Sequence, residues 1–180
     1  MITHKIGDLL ESDCDYICHQ VNCQGKMNSG IAKSIREKWP AVYNNYIIKC
    51  ETADEEAIRL YGGYEMAPSG SDMLLGDIQI IDLADNEYDT YQYVINMFAQ
   101  QYYGYDGKRY TSYDAFWSCL NKIKNNVPKG KKIGFPGFIG CVRGGANWNI
   151  VYEMINEVLG KDYDVYIYFL EAKENGKENI

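Results

Sequence analysis

The chain has 180 residues, a length that suits one domain with a sizeable hydrophobic core. Its residues are 46% hydrophobic, which excludes disorder over most of the length because apolar burial can offset the conformational entropy lost on folding. The formal net charge of −7 argues against a protein that mainly grips a polynucleotide backbone, since that task needs clustered Lys and Arg. We therefore do not expect bulk nucleic-acid binding.

Six cysteines are scattered along the chain without a CxxC pair, and the N-terminus does not read as a secretory signal. This pattern predicts free thiols and a cytoplasmic protein. His4 and His19 are the only histidines, so we expect no metal site, and we expect no cofactor. The longest apolar run is far short of the roughly 20 residues that cross a bilayer, so we expect no membrane partner.

Strands and helices are predicted to alternate along the chain, from short apolar runs and from apolar residues that repeat every three to four positions. The predicted strands are 3–6, 16–21, 76–83, 91–99, 131–136 and 164–170, with a hairpin turn at 84–87 joining the third to the fourth. The predicted helices are 30–39, 40–50, a short one capped by Thr52 and Glu55, one capped by Thr111 and Asp114, and 147–159. This alternation predicts a three-layer α/β domain over residues 1–172, followed by a polar tail at 173–180.

A first candidate site lies at 17–35, which reads ICHQVNCQGKMNSGIAKSI. Polar residues end a buried strand here, and a glycine-bearing loop leads into a helix whose N-terminus favours an anion. His19 could be a general base or a hydrogen-bonded structural residue. Asn22 could hold ribose hydroxyls. Cys23 is a weak nucleophile candidate, since only His19 could activate it and neighbouring strand residues face opposite ways.

A second candidate site is the loop at 137–145, GFIGCVRGG, which also follows a strand and precedes a helix. Either loop alone could be an ordinary turn, but two at one edge of a sheet could flank a diphosphate. Neither matches a Walker A or a GxGxxG pattern. Arg143 could neutralise a phosphate or be solvated. Asp8, directly after the first strand, could accept a hydrogen bond from a base amine or cap a turn.

Four segments together resemble the macro domain family. They are GDLL after the first strand, HQVNCQGKMNSGIAKSIREKWP, VINMF, and IGCVRGGANW. The resemblance covers roughly residues 2–170 and is nearest to the ADP-ribose 1″-phosphate processing branch of bacteria and phages, which is similar to the yeast phosphatase for that substrate. It implies a three-layer α/β/α macro domain with a six-stranded mixed sheet, and ADP-ribose as the ligand in a cleft above the sheet.

The resemblance also implies roles for individual residues. Asp8 and Leu9 would bind adenine, with Phe169 or a neighbouring residue stacked on it. Asn22, Gly30 and Ile31 would bind the distal ribose. The residues that would wrap the diphosphate are Ile139, Gly140, Cys141, Val142, Arg143, Gly144 and Gly145. The candidate catalytic residues are His19, Asn22 and Asn147, with His19 beside the distal ribose.

Three departures from the family bear on activity. Hydrolases that work through a lysine adduct carry Lys where this chain has Gln100, and their acidic residue in the second loop is Gly144 here. Many bacterial and phage members carry Asp at the position of Asn147. If that Asp is a general base, Asn147 leaves a binder, because an amide accepts no proton at neutral pH. If it caps the following helix, Asn serves equally well.

These features predict hydrolysis of a small ADP-ribose derivative, with ADP-ribose 1″-phosphate as the substrate and His19 activating water. Two alternatives stay open: a binding module that does not turn its ligand over, and a hydrolase that removes ADP-ribose from protein or nucleic acid. A large substrate would have to pass the tyrosine-rich loop at 100–110. That loop is also a candidate partner surface, although no particular protein partner is indicated.

Overall fold

The computed structural model describes residues 2–83, 92–104 and 106–170, so the predicted turn at 84–87 and tail at 173–180 lie outside the described residues. The strands are β1 (Ile2–Ile6), β2 (Tyr16–Asn22), β3 (Ile78–Asp82), β4 (Tyr93–Gln100), β5 (Lys132–Pro136) and β6 (Asp164–Phe169). The helices are α1 (Gly30–Lys38), α2 (Pro40–Tyr61), α3 (Gly70–Leu74), α4 (Tyr113–Asn126) and α5 (Trp148–Leu159), with a short 3₁₀ turn at Leu9–Glu11.

The strands form one mixed sheet in the order β1-β6-β5-β2-β4-β3. Every neighbouring pair is parallel except β3 and β4, which pair antiparallel as predicted. Buried side chains of α1 to α3, such as Ile35 and Tyr46, pack on one face of the sheet. Phe116 of α4 and Ile155 of α5 pack on the other. The predicted three-layer α/β/α arrangement is therefore confirmed.

Helix α2 is one continuous helix where we predicted two, so the expected cap at Thr52 is wrong. The Thr52 hydroxyl donates to the Ile48 carbonyl at 2.8 Å, as a threonine inside a helix does. Val42, in the first half of the helix, packs with Ile35 of α1, and Ala53, in the second half, packs with Leu74 of α3, so both halves are buried against the fold. That packing outweighs the local capping signal.

The cap of α4 is also one residue later than predicted. Ser112 caps the helix, and its hydroxyl accepts from the Ala115 N–H at 3.2 Å. Thr111, the expected cap, instead donates its hydroxyl hydrogen to the Gly140 carbonyl at 2.8 Å. It therefore joins the strand side of the fold to the loop after β5.

The topology opens a crevice between the neighbouring strands β2 and β5. The helix after β2 packs on one face of the sheet and the helix after β5 packs on the other. Their loops therefore diverge at the carboxyl edge, which is where open α/β sheets bind ligands. Within 2–83, 92–104 and 106–170, no helix is long and apolar enough to span a membrane.

Candidate ligand cleft

A cavity of about 750 Å³ occupies this carboxyl edge. Most of the residues predicted to bind the ligand line it. They are Asp8, Leu9, Asn22, Gly30, Ile31, Ile139, Gly140, Val142, Arg143, Gly144 and Phe169. Because β1, β6, β5 and β2 are consecutive in the sheet, the ends of β1 and β2 lie about 14 Å apart. The cavity is thus an elongated cleft with two distinguishable ends.

One end combines a carboxylate with aromatic rings. The Asp8 carboxylate accepts from the Leu10 N–H at 2.9 Å and so caps the 3₁₀ turn. A carboxylate can accept several hydrogen bonds, so this cap leaves capacity for a donor on a ligand. The rings of Phe169 and Phe138 line the same end, because β6 lies beside β1 in the sheet. This chemistry suits a planar base that carries an amine.

Two aromatic residues that the sequence patterns did not single out contribute to this end: Phe138 lines the cavity, and Trp148 packs on the lining rings from outside it. The Phe138 and Phe169 ring centroids are 5.5 Å apart, with an angle of 75° between the planes. Trp148, at the start of α5, lies 5.4 Å from Phe138 and 6.2 Å from Phe169. The sequence signal that could have found Phe138 is its position as an aromatic residue inside a glycine-rich loop after a strand.

The other end is built by the loop between β2 and α1, which Asn22 organises. Asn22 is 6% exposed, and its carbonyl oxygen accepts from Gln24 N–H at 2.9 Å and Tyr46 O–H at 2.9 Å. Its amide nitrogen donates to the Lys26 carbonyl at 2.8 Å. Most of the hydrogen-bonding capacity of the Asn22 side chain is therefore used within the loop and on Tyr46. The side chain holds the loop in place and also lines the cleft.

The N-terminus of α1 borders the same end. Ser29 precedes the helix in an extended conformation and its side chain makes no capping hydrogen bond. The first N–H groups of a helix have no partner within the helix, and Gly30 and Ile31 bring theirs to the cavity wall. Such groups, together with the helix dipole, favour an anionic or hydroxyl-rich ligand.

A hydrogen-bonded network that sequence reasoning missed supports the second loop. The Gln20 amide nitrogen donates to Gln100 Oε1 at 2.7 Å and to Thr111 Oγ1 at 2.8 Å. A Cβ on Gly140 would lie only 2.6 Å from Gln20 Oε1, so the loop backbone packs directly on this network. Sequence alone could not find it, because its members are 80 and 91 positions apart.

His19 does not line the cleft, and its predicted role in activating water needs correction. The side chain is 0% exposed, and its Nε2 lies 2.5 Å from Asn96 Oδ1 on the neighbouring strand. Burial lowers the pKa of His19 from 6.5 to about 4, although the hydrogen bond that Nε2 donates to Asn96 Oδ1 acts in the opposite direction. A fully buried ring outside the cavity cannot touch a ligand, so the structural alternative for His19 fits the geometry.

Three further predicted residues also lie outside the cavity lining. Asn147 caps α5, and its side chain accepts from the Asn149 N–H at 2.9 Å. Its geometry thus matches the cap alternative and not a base beside the ligand. The Cys141 thiol donates to the Ile139 carbonyl at 3.4 Å within the loop. Gly145 packs against the backbone of Arg109. Cys141 and Gly145 therefore support the conformation of the loop without lining the cavity.

The lining of the cavity contains few ionisable side chains. Among the described residues that line the cavity, none is His, Glu or Cys; the ionisable ones are Asp8, Lys26, Tyr103, Arg143 and Tyr168. Cys23 lies outside the lining and is buried, and this burial raises the pKa of its thiol to about 12. A thiol with that pKa stays protonated at neutral pH and is a poor nucleophile. In the described part of the chain, no cluster of His, Cys, Asp and Glu is suited to a metal ion.

Comparison with known proteins identifies the fold. No protein-family model matches the chain. The macrodomain of Mycobacterium tuberculosis DarG superposes with a TM-score of 0.69 at 21% identity, covering 93% of this chain and 97% of that one. Thermosipho africanus DarTG in complex with ADP-ribose gives a TM-score of 0.66 at 19% identity, covering 92% of this chain and 41% of that one. The chain has the macrodomain fold, as the sequence resemblance implied.

A local sequence match points in the same direction. A segment of 54 residues, 30% of this chain, is 35% identical to the DNA ADP-ribosyl glycohydrolase of Mycobacterium tuberculosis. The matched segment spans 15% of the length of that relative. The match therefore leaves most of the relative without a counterpart here.

Proposed function

We propose that this chain binds ADP-ribose along the cleft, with the base at the aromatic end and the distal ribose at the α1 end. The observation that carries the proposal is the cavity of about 750 Å³ that both predicted loops border at the carboxyl edge of the sheet. Asp8 and Leu9 would receive adenine, and the loop from Ile139 to Gly144 would surround the diphosphate. Asn22, Gly30 and Ile31 would bound the distal ribose.

The diphosphate would be held mainly by backbone N–H groups. Backbone amides and a helix N-terminus supply local positive potential, so an acidic protein can still hold a small anion. Arg143 lines the cavity on the second loop and would add a cationic side chain. This combination explains how a chain of net charge −7 could bind a diphosphate.

We further propose that capture of the ligand, and not its hydrolysis, is the basal activity. The expected phosphatase reaction on ADP-ribose 1″-phosphate depended on His19, which is buried away from the cleft. Asp8 is the one carboxylate among the described lining residues, and it belongs to the base end. No side chain described at the α1 end is therefore suited to take a proton from water.

Calorimetric titration with ADP-ribose, paired with a phosphate-release assay on ADP-ribose 1″-phosphate, tests both statements. We expect saturable binding of ADP-ribose at one site and phosphate release at the background rate. Absence of binding would overturn the assignment of the ligand. Rapid phosphate release by the wild type would overturn capture as the basal activity and restore the phosphatase hypothesis with a different base.

Removal of ADP-ribose from DNA is a second candidate function, favoured by the match to the mycobacterial glycohydrolase. That reaction would have to proceed without a lysine adduct, because this chain has Gln100 where adduct-forming hydrolases carry lysine. Incubation with an ADP-ribosylated DNA oligonucleotide tests it, with release of free ADP-ribose as the readout. The variant Gly30→Trp would block the α1 end of the cleft. Release by the wild type together with loss of release in this variant would support the candidate. No release would exclude it.

A further inference from the structure

Phe138 combines a strained backbone with an exposed ring. Among the residues that the structure describes, it is the one non-glycine residue with a positive φ, 60°. A side chain in this left-handed region crowds its own backbone, so a bulky residue there is an outlier that the surroundings must hold in place. Such outliers concentrate at functional sites. The strain therefore calls for a compensating role of the ring.

Burial of the ring does not supply that role. The Phe138 side chain is 49% exposed and lines the cleft, so much of its apolar surface remains in contact with water. Glycine would meet the backbone requirement without strain, and Gly140, two residues later, has a similar φ of 72°. The contacts of the ring with Phe169 and Trp148 offset part of this strain, but they leave the exposed half of the ring unexplained. The ring has to be explained by what it presents to the cleft.

The ring forms one of two perpendicular walls. Phe169 provides the other wall, at 75° to it, and lies so close to Gly137 that a Cβ there would overlap the ring. Trp148 contacts both phenylalanines and braces the corner from the α5 side. A planar base stacked on one ring would meet the other ring edge-on, and both arrangements are favourable for aromatic groups.

We propose that Phe138 is a base-recognition residue, and that its backbone is held in the left-handed region to keep the ring at this corner. The inference rests on the proposed binding of ADP-ribose and concerns the base end of that ligand. The ring contributes to the affinity for the adenosine part of the ligand. It contributes nothing to the affinity for the distal ribose.

Three substitutions separate the ring from the backbone. Phe138→Gly removes the ring and relieves the backbone, Phe138→Ala removes the ring and keeps the strain, and Phe138→Tyr keeps both. We expect the glycine and alanine variants each to bind ADP-ribose about tenfold more weakly, and the tyrosine variant to bind within about twofold of wild type. Thermal unfolding should give the glycine variant a Tm about 4 °C above that of the alanine variant.

The affinity for AMP shows which end of the ligand the ring contacts, because AMP contains the base and lacks the distal ribose. Competition against ADP-ribose should show that Phe138→Gly and Phe138→Ala weaken AMP and ADP-ribose by the same factor. Asn28→Ala, a variant of a lining residue at the α1 end, should weaken ADP-ribose and leave AMP unchanged. This contrast distinguishes a contact with the base from a general loosening of the cleft.

The possible failures are distinguishable. A wild-type protein that binds neither AMP nor ADP-ribose overturns the proposed function and this inference with it. A wild type that binds both, with glycine and alanine variants of equal affinity to wild type, overturns the inference alone. A loss for ADP-ribose without a loss for AMP overturns it as well, because the ring would then act away from the base.

Discussion

Asn22 shows at the scale of one residue how a polar side chain can support a site as well as line it. Its side chain accepts from Lys26 N–H, Gln24 N–H and Tyr46 O–H while almost completely buried. We expect Asn22→Ala to lower the free energy of unfolding by about 2 kcal/mol, because buried donors lose their acceptor. We expect ADP-ribose affinity to fall by about tenfold or more, since the loop loses its brace.

Chemical denaturation and calorimetry measure these two effects. Asn45→Ala is the matched control, since Asn45 is an exposed asparagine on α2 whose side-chain amide donates to the Ala41 carbonyl one turn earlier in the helix. It should change the free energy of unfolding by less than about 0.5 kcal/mol and leave the affinity intact. An Asn22→Ala variant that behaves like this control would refute the bracing role.

His19 predicts a pH dependence of stability. Its pKa is about 4 in the fold against 6.5 for the free side chain, because burial disfavours the charged form. The unfolded chain therefore binds a proton that the folded chain excludes between these values. The contribution of neutral His19 to stability is complete above pH 6.5 and is lost as the pH falls towards 4. The full difference between the two pKa values corresponds to about 3 kcal/mol in the free energy of unfolding.

Urea unfolding at pH 6.5 and pH 4.5, for wild type and His19→Gln, isolates this effect. The glutamine amide can still donate to Asn96, so we expect the variant to fold and to lose less stability than wild type over this interval. ADP-ribose affinity at pH 7 should stay within about twofold, because His19 does not line the cleft. Equal losses in both proteins would contradict the buried neutral state of His19.

At the scale of the element, the start of α5 bears on the two interpretations of position 147. Asn147 caps the helix through its side-chain oxygen, a role that aspartate fills equally well. We expect Asn147→Ala to lower the free energy of unfolding by about 1 kcal/mol, and Asn147→Asp to change it by less than about 0.5 kcal/mol. Neither variant should raise phosphate release from ADP-ribose 1″-phosphate. A large gain of turnover in Asn147→Asp would show that a lost carboxylate, and not a cap, is the relevant difference.

Element types were largely predictable, and element junctions were not. Strand and helix periods are properties of a few consecutive residues, so all six strands were placed within about two residues of their observed bounds. The junction inside α2 was wrong because Thr52 and Glu55 satisfy the capping pattern locally. Whether the chain bends there depends on what packs against the helix, here Leu74 of α3 on Ala53, and a local pattern does not contain that information.

At the scale of the whole molecule, the net charge of −7 sets the expected salt dependence. Nucleic-acid binders lose affinity steeply with salt, because their cationic side chains release counterions from the phosphates. Here backbone amides and a helix N-terminus would hold the diphosphate within an acidic protein. We expect the affinity for ADP-ribose to change by less than about threefold between 50 and 200 mM NaCl. Calorimetry at the two salt concentrations measures this, and a tenfold fall would indicate that side-chain cations dominate binding.

The sequence by itself determined most of the elements and the carboxyl-edge position of the two loops, because these follow from local patterns and from the parallel sheet they imply; the junction inside α2 and the short α3 are the exceptions. Most of the residues around the cleft were expected from the resemblance to the macro domain family. Only the tertiary structure decided which side chains face the cleft. His19 and Gln20 are adjacent on β2, and the pleat sends them to opposite faces of the sheet. Gln20 meets Thr111 beside the cleft, whereas His19 shares the buried face of Ile17. How close a side chain lies to the open carboxyl edge, and which loops and helices cover it, depends on distant parts of the chain, and no local pattern contains that information.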